Sequence, residues 1–180
     1  MAELDRVLTP DSIVVSDASY SSIWTSNFLL SQKPGMRFLS PRGLAGLGWG
    51  LPFALGAKAA APDATVFCLA GDGGFAHVWS ELETSVRLKL PVVITVLNNA
   101  ILGYQTHAED MMYGDHSDAC DFAAIDHAAI ARACGCRGIR ITDPAEYASA
   151  IKEAMESDVT TLIEVMTDPK AWPPITSFEA

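Results

Sequence analysis

Basic residues are scarce in this chain. Among 180 residues there are 12 Lys and Arg against 22 Asp and Glu, which gives a formal net charge of −10. Such a surface would repel an extended phosphate backbone, so the composition argues against a nucleic acid partner. A single small anion stays compatible with it, because backbone N–H groups and a bound metal ion supply positive charge locally.

Long hydrophobic runs are also missing. No stretch approaches the roughly 20 apolar residues that a transmembrane helix needs. No basic leader precedes an apolar run at the N-terminus, as a secretory signal would require. We therefore expect a cytoplasmic protein with no membrane segment.

Paired cysteines are the third absence. Cys68, Cys120, Cys134 and Cys136 form one C-x-C pair and no C-x-x-C pair. Neither a zinc site nor a disulfide framework is therefore indicated. We expect reduced thiols that are mostly buried.

The chain is nevertheless apolar enough to form a core, with 49% hydrophobic and 19% charged residues. Its length suits one domain. Short apolar runs alternate with segments of helical period, as in βαβ units. The pattern predicts a single α/β domain over residues 1–180, with a mostly parallel six-stranded sheet and helices on both faces.

The expected strands and helices follow from these runs. The predicted strands are Ser12–Ser16, Arg37–Ser40, Thr65–Ala70, Val92–Leu97, Arg137–Ile141 and Thr161–Val165. The predicted helices are Ser21–Leu30, Leu51–Ala61, Val78–Leu88, Ala123–Cys134 and Ala145–Glu156. Residues Ile101–Asp121 have no clear period, and we expect a long functional loop there.

Two polar motifs follow neighbouring predicted strands. Gly71-Asp72-Gly73-Gly74 ends the third strand and Asn98-Asn99 ends the fourth, and the 24 residues from 74 to 97 accommodate one helix and the return strand. Parallel strands bring both motifs to one edge of the sheet. Carboxylate and amide oxygens suit Mg²⁺, while the glycines allow a diphosphate to approach the backbone. Either motif alone is commonly a turn, but together they predict a Mg²⁺-diphosphate site.

These motifs resemble the cofactor signature of thiamine diphosphate-dependent enzymes, the family that includes acetolactate synthase, pyruvate decarboxylase and benzoylformate decarboxylase. Two further segments resemble the same family, namely Gly46–Pro52 (GLGWGLP) and Ser16–Trp24, the latter in the acetolactate synthase branch. The similarity runs from about Ile13 to Val165. The chain is identified as a member of the family's C-terminal, diphosphate-binding type of domain, nearest to the acetolactate synthase-like branch.

The resemblance implies a role for each matching residue. Asp72 and Asn99 would bind Mg²⁺ through their side chains, and Ile101 through its carbonyl oxygen. Leu47 would be the apolar wedge that bends the cofactor, and the carbonyl of Ala45, where Gly is usual, would accept a hydrogen bond from the pyrimidine amino group. The other expected cofactor contacts are Ser19, Tyr20, Ser21, Gly46, Gly71, Gly73, Gly74, Leu102, Gly103 and Tyr104.

The resemblance also implies a reaction. In simple decarboxylases of the family, an acidic side chain six residues beyond the metal-binding Asn handles protons, and Gln105 stands there in this chain. Gln is not a general acid at neutral pH. This favours decarboxylation of a 2-oxo acid followed by transfer of the acyl carbanion, as in acetolactate synthase. A split decarboxylase of the sulfopyruvate or phosphonopyruvate type, and a non-catalytic cofactor-binding assembly module, stay open as alternatives.

The activating glutamate of this family belongs to a separate pyrimidine-binding domain, and nothing in residues 1–180 resembles that domain. We therefore expect the chain to need a partner domain or subunit, in a homo- or hetero-oligomer, and to be inactive alone. Both a natural split subunit and an excised domain are compatible with this expectation.

The histidines and large aromatics have weaker signals. His107 and His116 are titratable candidates on the predicted loop, or solvated side chains; His77 either approaches the substrate or packs against a neighbouring element; His127 is expected to be structural. Three aromatic residues are assigned to core packing. They are Trp49, Phe75 and Trp79.

Overall fold

A computed structural model describes residues 1–174 as a six-stranded sheet between helices. The strand order is β2-β1-β3-β4-β6-β5, and every pairing is parallel. The strands are β1 Ile13–Ser16, β2 Arg37–Leu39, β3 Val66–Gly71, β4 Val93–Asn98, β5 Arg137–Ile141 and β6 Thr161–Met166. The predicted α/β fold with its six-stranded sheet is confirmed.

Eight α-helices connect and cover these strands within residues 1–174. They are α1 Ala2–Val7, α2 Tyr20–Phe28, α3 Gly50–Ala60, α4 Asp72–Ala76, α5 Glu81–Arg87, α6 Gly103–Tyr113, α7 His127–Ala133 and α8 Tyr147–Met155. Two single 3₁₀ turns occur at Asp118–Cys120 and Pro144–Glu146. In this part of the chain no helix is both long and apolar enough to cross a membrane.

The core lies on both faces of the sheet, as continuous apolar strands require. Side chains of β3 alternate between two hydrophobic clusters: Val66, Cys68 and Ala70 point to one face, and Phe67 and Leu69 to the other. Helices α3, α5 and α7 cover the first face, and α1 and α8 cover the second. With both faces buried, polar groups concentrate at the carboxyl edge of the sheet.

The structure differs from the prediction in three places. Helices α1 and α4 were not predicted, and the helix expected over Val78–Leu88 is present as the shorter α5. The expected loop Ile101–Asp121 contains α6. The buried face of α6 consists of Gly103, Thr106 and His107, which have helical spacing but little hydrophobicity, so the period was hidden.

The packing assignments are largely borne out. Phe75 is fully buried, and Trp79 packs against the core. Trp49 is 52% exposed, so its assignment to the core is wrong. The four cysteines are free thiols, and all except the half-buried Cys134 are buried.

Candidate functional site

A cavity of about 810 Å³ lies at the carboxyl edge of the sheet. Every residue that the sequence predicted for metal binding, cofactor binding or catalysis lines this cavity, with the exception of Gly46. The predicted residues in its wall are Ser19, Tyr20, Ser21, Ala45, Leu47, Gly71, Asp72, Gly73, Gly74, Asn99, Ile101, Leu102, Gly103, Tyr104 and Gln105.

Asp72 begins α4 directly after β3 and is 4% exposed. Its Oδ2 accepts a hydrogen bond of 2.8 Å from the backbone N–H of Ala100, which follows β4. Burial raises the pKa of Asp72 to about 6, although backbone N–H groups, including that of Gly73, act in the opposite direction. A cation in the cavity would stabilise this carboxylate in its charged form.

The two asparagines after β4 have different environments. Asn98 is buried, and its Nδ2 donates to Glu164 Oε1 at 2.6 Å. Asn99 lines the cavity, and its Oδ1 accepts from the N–H of Ile101 at 3.3 Å. The turn between them and Ile101 depends on Ala100, which has a left-handed φ of 58°. Asn98 is therefore a structural residue, whereas Asn99 presents an amide to the cavity.

The glycines after Asp72 are required by the packing of the protein itself. A Cβ added at Gly73 would lie 2.8 Å from Phe122 Cε2 and 2.9 Å from Leu102 Cδ2. A Cβ added at Gly74 would lie 2.6 Å from Asp17 Oδ2. Side chains at these positions would clash, so the backbone forms the cavity wall directly.

Two helix N-termini open on the cavity. Helix α2 begins at Tyr20 and α6 at Gly103, and the first residues of both line the wall. Free N–H groups in a first helical turn attract anions. The first residues of α4, namely Asp72, Gly73 and Gly74, line the same wall. Ser19, which precedes α2, has a left-handed φ of 66°.

Asp17 is a site residue that sequence reasoning missed. It is 1% exposed and accepts three backbone hydrogen bonds: from Gly48 at 3.0 Å, from Trp49 at 3.3 Å and from Ala18 at 2.7 Å. Asp17 thereby holds the loop between β2 and α3 against the end of β1. Its position directly after a buried strand, like that of Asp72, was the available signal.

The loop that Asp17 holds carries Leu47 and Ala45, and both line the cavity. Ala45 has a φ of 51°, so the residue that replaces the family's usual glycine occupies a left-handed conformation. Such a conformation costs an L-residue about 1 kcal/mol. The loop is thus anchored at one end and strained at its centre.

His107 is buried on a helix, so the prediction that it lies on a loop is wrong. It lies on α6 and is 6% exposed. Its Nε2 is 3.1 Å from the carbonyl of Pro169, and its Nδ1 is 2.6 Å from the hydroxyl of Tyr20. Because a carbonyl only accepts, Nε2 is the donor to Pro169. The ring of Trp172 stacks on His107 at 4.2 Å.

None of the four histidines belongs to the cavity wall. His116 Nδ1 is 2.8 Å from Asp110 Oδ1, which raises the pKa of this histidine. His127 is buried and accepts from Trp79 Nε1 at 3.2 Å, in agreement with a structural role. His77 ends α4 beside the Asp17-held loop.

Asp72, Asn99 and Ile101, which follow adjacent strands, line one cavity together with the first residues of two helices, and this arrangement suits an anionic cofactor. The chain belongs to the thiamine pyrophosphate (thiamine diphosphate) enzyme family, because residues 17–165 match the model of its C-terminal TPP binding domain. The resemblance found in the sequence is thereby confirmed.

Its relatives include acetolactate synthases. A probable acetolactate synthase large subunit of Methanococcus aeolicus is 34% identical over 95% of this chain and 29% of its own length. Acetolactate synthase isozyme 3 large subunit of Escherichia coli (strain K12) is 37% identical, over 84% of this chain and 26% of its own length. The chain therefore spans less than a third of these relatives.

A solved structure has the same fold. The thiamine diphosphate-dependent 4-hydroxybenzoylformate decarboxylase of Rhodococcus jostii RHA1 superimposes with a TM-score of 0.84 at 30% sequence identity, over 93% of this chain and 31% of that one. The domain described here thus corresponds to about a third of a larger enzyme.

Proposed function

We propose that this chain is the half of a thiamine diphosphate-dependent enzyme that holds Mg²⁺ and the diphosphate. The assembled enzyme would decarboxylate a 2-oxo acid and transfer the resulting acyl carbanion to a second carbonyl compound. The observation that carries the proposal is that Asp72, Asn99 and Ile101 line one cavity together with the first residues of α2 and α6.

The donor set fits the metal. Asp72 offers a carboxylate, Asn99 an amide oxygen and Ile101 a carbonyl, which are the hard oxygen ligands that Mg²⁺ prefers together with phosphate oxygens. A divalent cation would also relieve the unfavourable burial of the Asp72 carboxylate. Thiamine diphosphate, when bound, supplies the nucleophilic carbon and the electron sink for decarboxylation.

The chain's own residues would bind and orient the cofactor. The diphosphate would accept hydrogen bonds from first-turn N–H groups of α2 and α6. It would also lie against the backbone at Gly73 and Gly74. Leu47 would press against the cofactor from a loop that Asp17 keeps in place. Positioning of this kind is the protein's main contribution to a cofactor-dependent reaction.

Transfer is favoured over simple decarboxylation by Gln105. This side chain lines the cavity, where a proton donor would be needed to release an aldehyde, and its amide instead donates to Glu109 at 2.5 Å. The acetolactate synthase relatives agree with this choice. A simple or split 2-oxo acid decarboxylase is the second candidate, favoured by the structural similarity to a decarboxylase.

The surface around the loop that Asp17 holds, which carries Leu47, supports a partner domain. Leu44 is fully exposed there, and Trp49 and Phe53, whose rings are 5.7 Å apart, are both partly exposed. Exposed apolar groups around a site mark a contact surface. We propose that a pyrimidine-binding domain or subunit covers this surface and supplies the activating glutamate. The intact ligand set argues against a non-catalytic assembly module.

Calorimetric titration of thiamine diphosphate, with and without Mg²⁺ and with and without the partner domain, tests the proposal. We expect Mg²⁺-dependent binding, and CO₂ release with a coupled product from a panel of 2-oxo acids only when the partner is present. Binding without any CO₂ release would favour the assembly module. CO₂ release with free aldehyde as the sole product would favour the simple decarboxylase.

A further inference from the structure

Three carboxylates are buried among residues 1–174, namely those of Asp17, Asp72 and Glu164. Asp17 holds a loop and Asp72 lines the cavity, but Glu164 does not belong to the cavity wall. Its side chain, on β6, is completely buried. Burial of a charged group is unfavourable unless hydrogen bonds and ion pairs compensate it, so the partners of Glu164 indicate what it does in the protein.

The shortest contact of Glu164 is with the end of β4. Its Oε1 accepts a hydrogen bond of 2.6 Å from Asn98 Nδ2, and a hydrogen bond to a charged acceptor is stronger than one between neutral groups. Its Oε2 lies 3.3 Å from the backbone nitrogen of Ala128 and 3.8 Å from Arg140 Nε. Because β6 pairs with β4, this carboxylate lies within reach of the residue that ends β4. Glu164 is thus bound most closely to Asn98.

The contacts of Asn98 determine which way its amide points. Its Nδ2 donates to Glu164 Oε1 and, at 3.3 Å, to the carbonyl oxygen of Ile125. Because a carboxylate and a carbonyl only accept, the NH₂ group must face them, and Oδ1 must face away. This Oδ1 accepts a hydrogen bond of 3.1 Å from the N–H of Ala100. Glu164 therefore keeps the Asn98 oxygen directed at Ala100.

The N–H of Ala100 joins Asn98 to the proposed metal ligands. It donates to Asp72 Oδ2 at 2.8 Å as well as to Asn98 Oδ1. Ala100 stands between the other two proposed ligands, Asn99 and Ile101, and its φ of 58° is a left-handed conformation. An L-residue keeps such a conformation only where surrounding contacts hold it. A chain of hydrogen bonds therefore connects the buried glutamate with the turn that carries the proposed ligands.

We infer that Glu164 is a positioning residue of the proposed metal site, which acts through Asn98 on the turn from Asn99 to Ile101. The inference rests on the proposed function. Residues that orient metal ligands without contacting the metal commonly change its affinity by about ten- to hundred-fold. The negative charge of Glu164 would also attract a cation at a distance, so orientation and charge need separate variants.

The test uses the assembled protein with its partner domain and compares Glu164→Met and Glu164→Asp with Tyr147→Phe. Met has a similar length but no carboxylate, whereas Asp keeps the charge and is one methylene too short to make the same contacts. The hydroxyl of Tyr147 lies 2.8 Å from Thr95 Oγ1 on β4, and Tyr147 belongs to the core on the other face of the sheet. Tyr147→Phe therefore removes a buried hydrogen bond to the same strand without affecting Asn98.

Calorimetry at a series of Mg²⁺ concentrations gives the apparent Mg²⁺ affinity in thiamine diphosphate binding. We expect both Glu164 variants to weaken this affinity about ten-fold, and Tyr147→Phe to change it less than about two-fold. Unaltered affinity in either Glu164 variant would overturn the inference, and in Glu164→Asp it would show that charge alone is sufficient. An equal loss in Tyr147→Phe would also overturn it, because the cause would then be general destabilisation.

A double substitution tests the route through Asn98. In the background of Asn98→Ala, the link to Ala100 is absent, so adding Glu164→Asp should change the apparent Mg²⁺ affinity less than about two-fold further. A further loss of about ten-fold would show that Glu164 acts by another route and would overturn the inference.

Hydrogen–deuterium exchange without metal or cofactor separates this inference from the proposed function. The backbone amides of Ala100 and Ile101 should exchange about ten-fold faster in both Glu164 variants, because the turn opens more often, and at the wild-type rate in Tyr147→Phe. Unchanged exchange in the Glu164 variants would overturn the inference. Failure of the wild type to bind thiamine diphosphate with Mg²⁺ would instead refute the proposed function, and the exchange rates would still decide whether Glu164 holds the turn.

Discussion

Two buried aspartates stand at the ends of neighbouring parallel strands and have opposite roles. Asp17 follows β1 and Asp72 follows β3, at the same edge of the sheet. Three backbone N–H groups of the protein satisfy Asp17. Asp72 is left with a raised pKa of about 6, because the hydrogen bonds it accepts do not offset its burial. Hydrogen bonds within the fold satisfy the Asp17 carboxylate, whereas a bound cation would satisfy that of Asp72.

This contrast divides the cavity into two regions. At the β3–β4 edge, the proposed ligands all belong to this chain. At the β1–β2 edge, Asp17 holds a strained loop whose neighbours Leu44 and Trp49 face solvent. In the proposed function, the first region holds the metal and the diphosphate, and the second contacts the partner domain. Four substitution experiments test the comparison.

The largest effect is expected for Asp72→Asn. Loss of the charged ligand should weaken Mg²⁺-dependent thiamine diphosphate binding by about a hundred-fold or more. Calorimetry on the assembled protein measures it. Asp168→Asn is the matched control, because Asp168 is an acid of the same cavity wall with no proposed metal role. Equal losses in both variants would show only a general charge effect and would remove Asp72 from the ligand set.

Asp17→Asn should destabilise the fold by about 2–4 kcal/mol, because an amide cannot accept at both of its atoms and its NH₂ would face backbone donors. Urea unfolding measures the difference. The control is Asp126→Asn, at the N-cap of α7, where Oδ1 accepts from Ala129 N and Asn caps nearly as well as Asp. A loss under about 1 kcal/mol for Asp17→Asn would contradict its anchoring role.

The fold was predictable from the sequence because its strands are continuous apolar runs, and the candidate metal site because parallel strands must bring Asp72 and Asn99 to one edge. Asp17 was missed because its hydrogen-bond donors, Gly48 and Trp49, lie 31 and 32 residues away in the sequence. His107 was placed on a loop for a different reason: it is buried on a helix face that hydrophobicity does not reveal. Contacts made by backbone groups and by polar buried faces leave no periodic pattern of hydrophobic residues in the sequence.

Asp72→Asn should weaken cofactor binding, but it should make the metal-free protein more stable against unfolding. The folded pKa of Asp72 lies above its ordinary value of 3.8, so its ionisation destabilises the fold as pH rises from about 4 to 6. At pH 7 the variant should be more stable by about 1–3 kcal/mol. Below about pH 4 this contribution should vanish. Urea unfolding in EDTA across this range measures it, and a difference independent of pH would contradict the assignment.

The smallest effects are expected at two alanines, one in each region. Ala45, on the loop that Asp17 holds, and Ala100, which donates to Asp72, have φ values of 51° and 58°. Glycine would relieve strain of about 1 kcal/mol, partly offset by the greater entropy of the unfolded chain, so each substitution should stabilise the fold by about 0.5 kcal/mol.

The matched control for these variants is Ala59→Gly on the exposed surface of α3, which has no such strain to relieve and should cost about 1 kcal/mol. Urea unfolding of the three variants compares them directly. Destabilisation by Ala45→Gly equal to that of Ala59→Gly would show that the loop is not strained at its centre. The two regions of the cavity would then differ only in their aspartates, because the loop that Asp17 holds would carry no backbone strain.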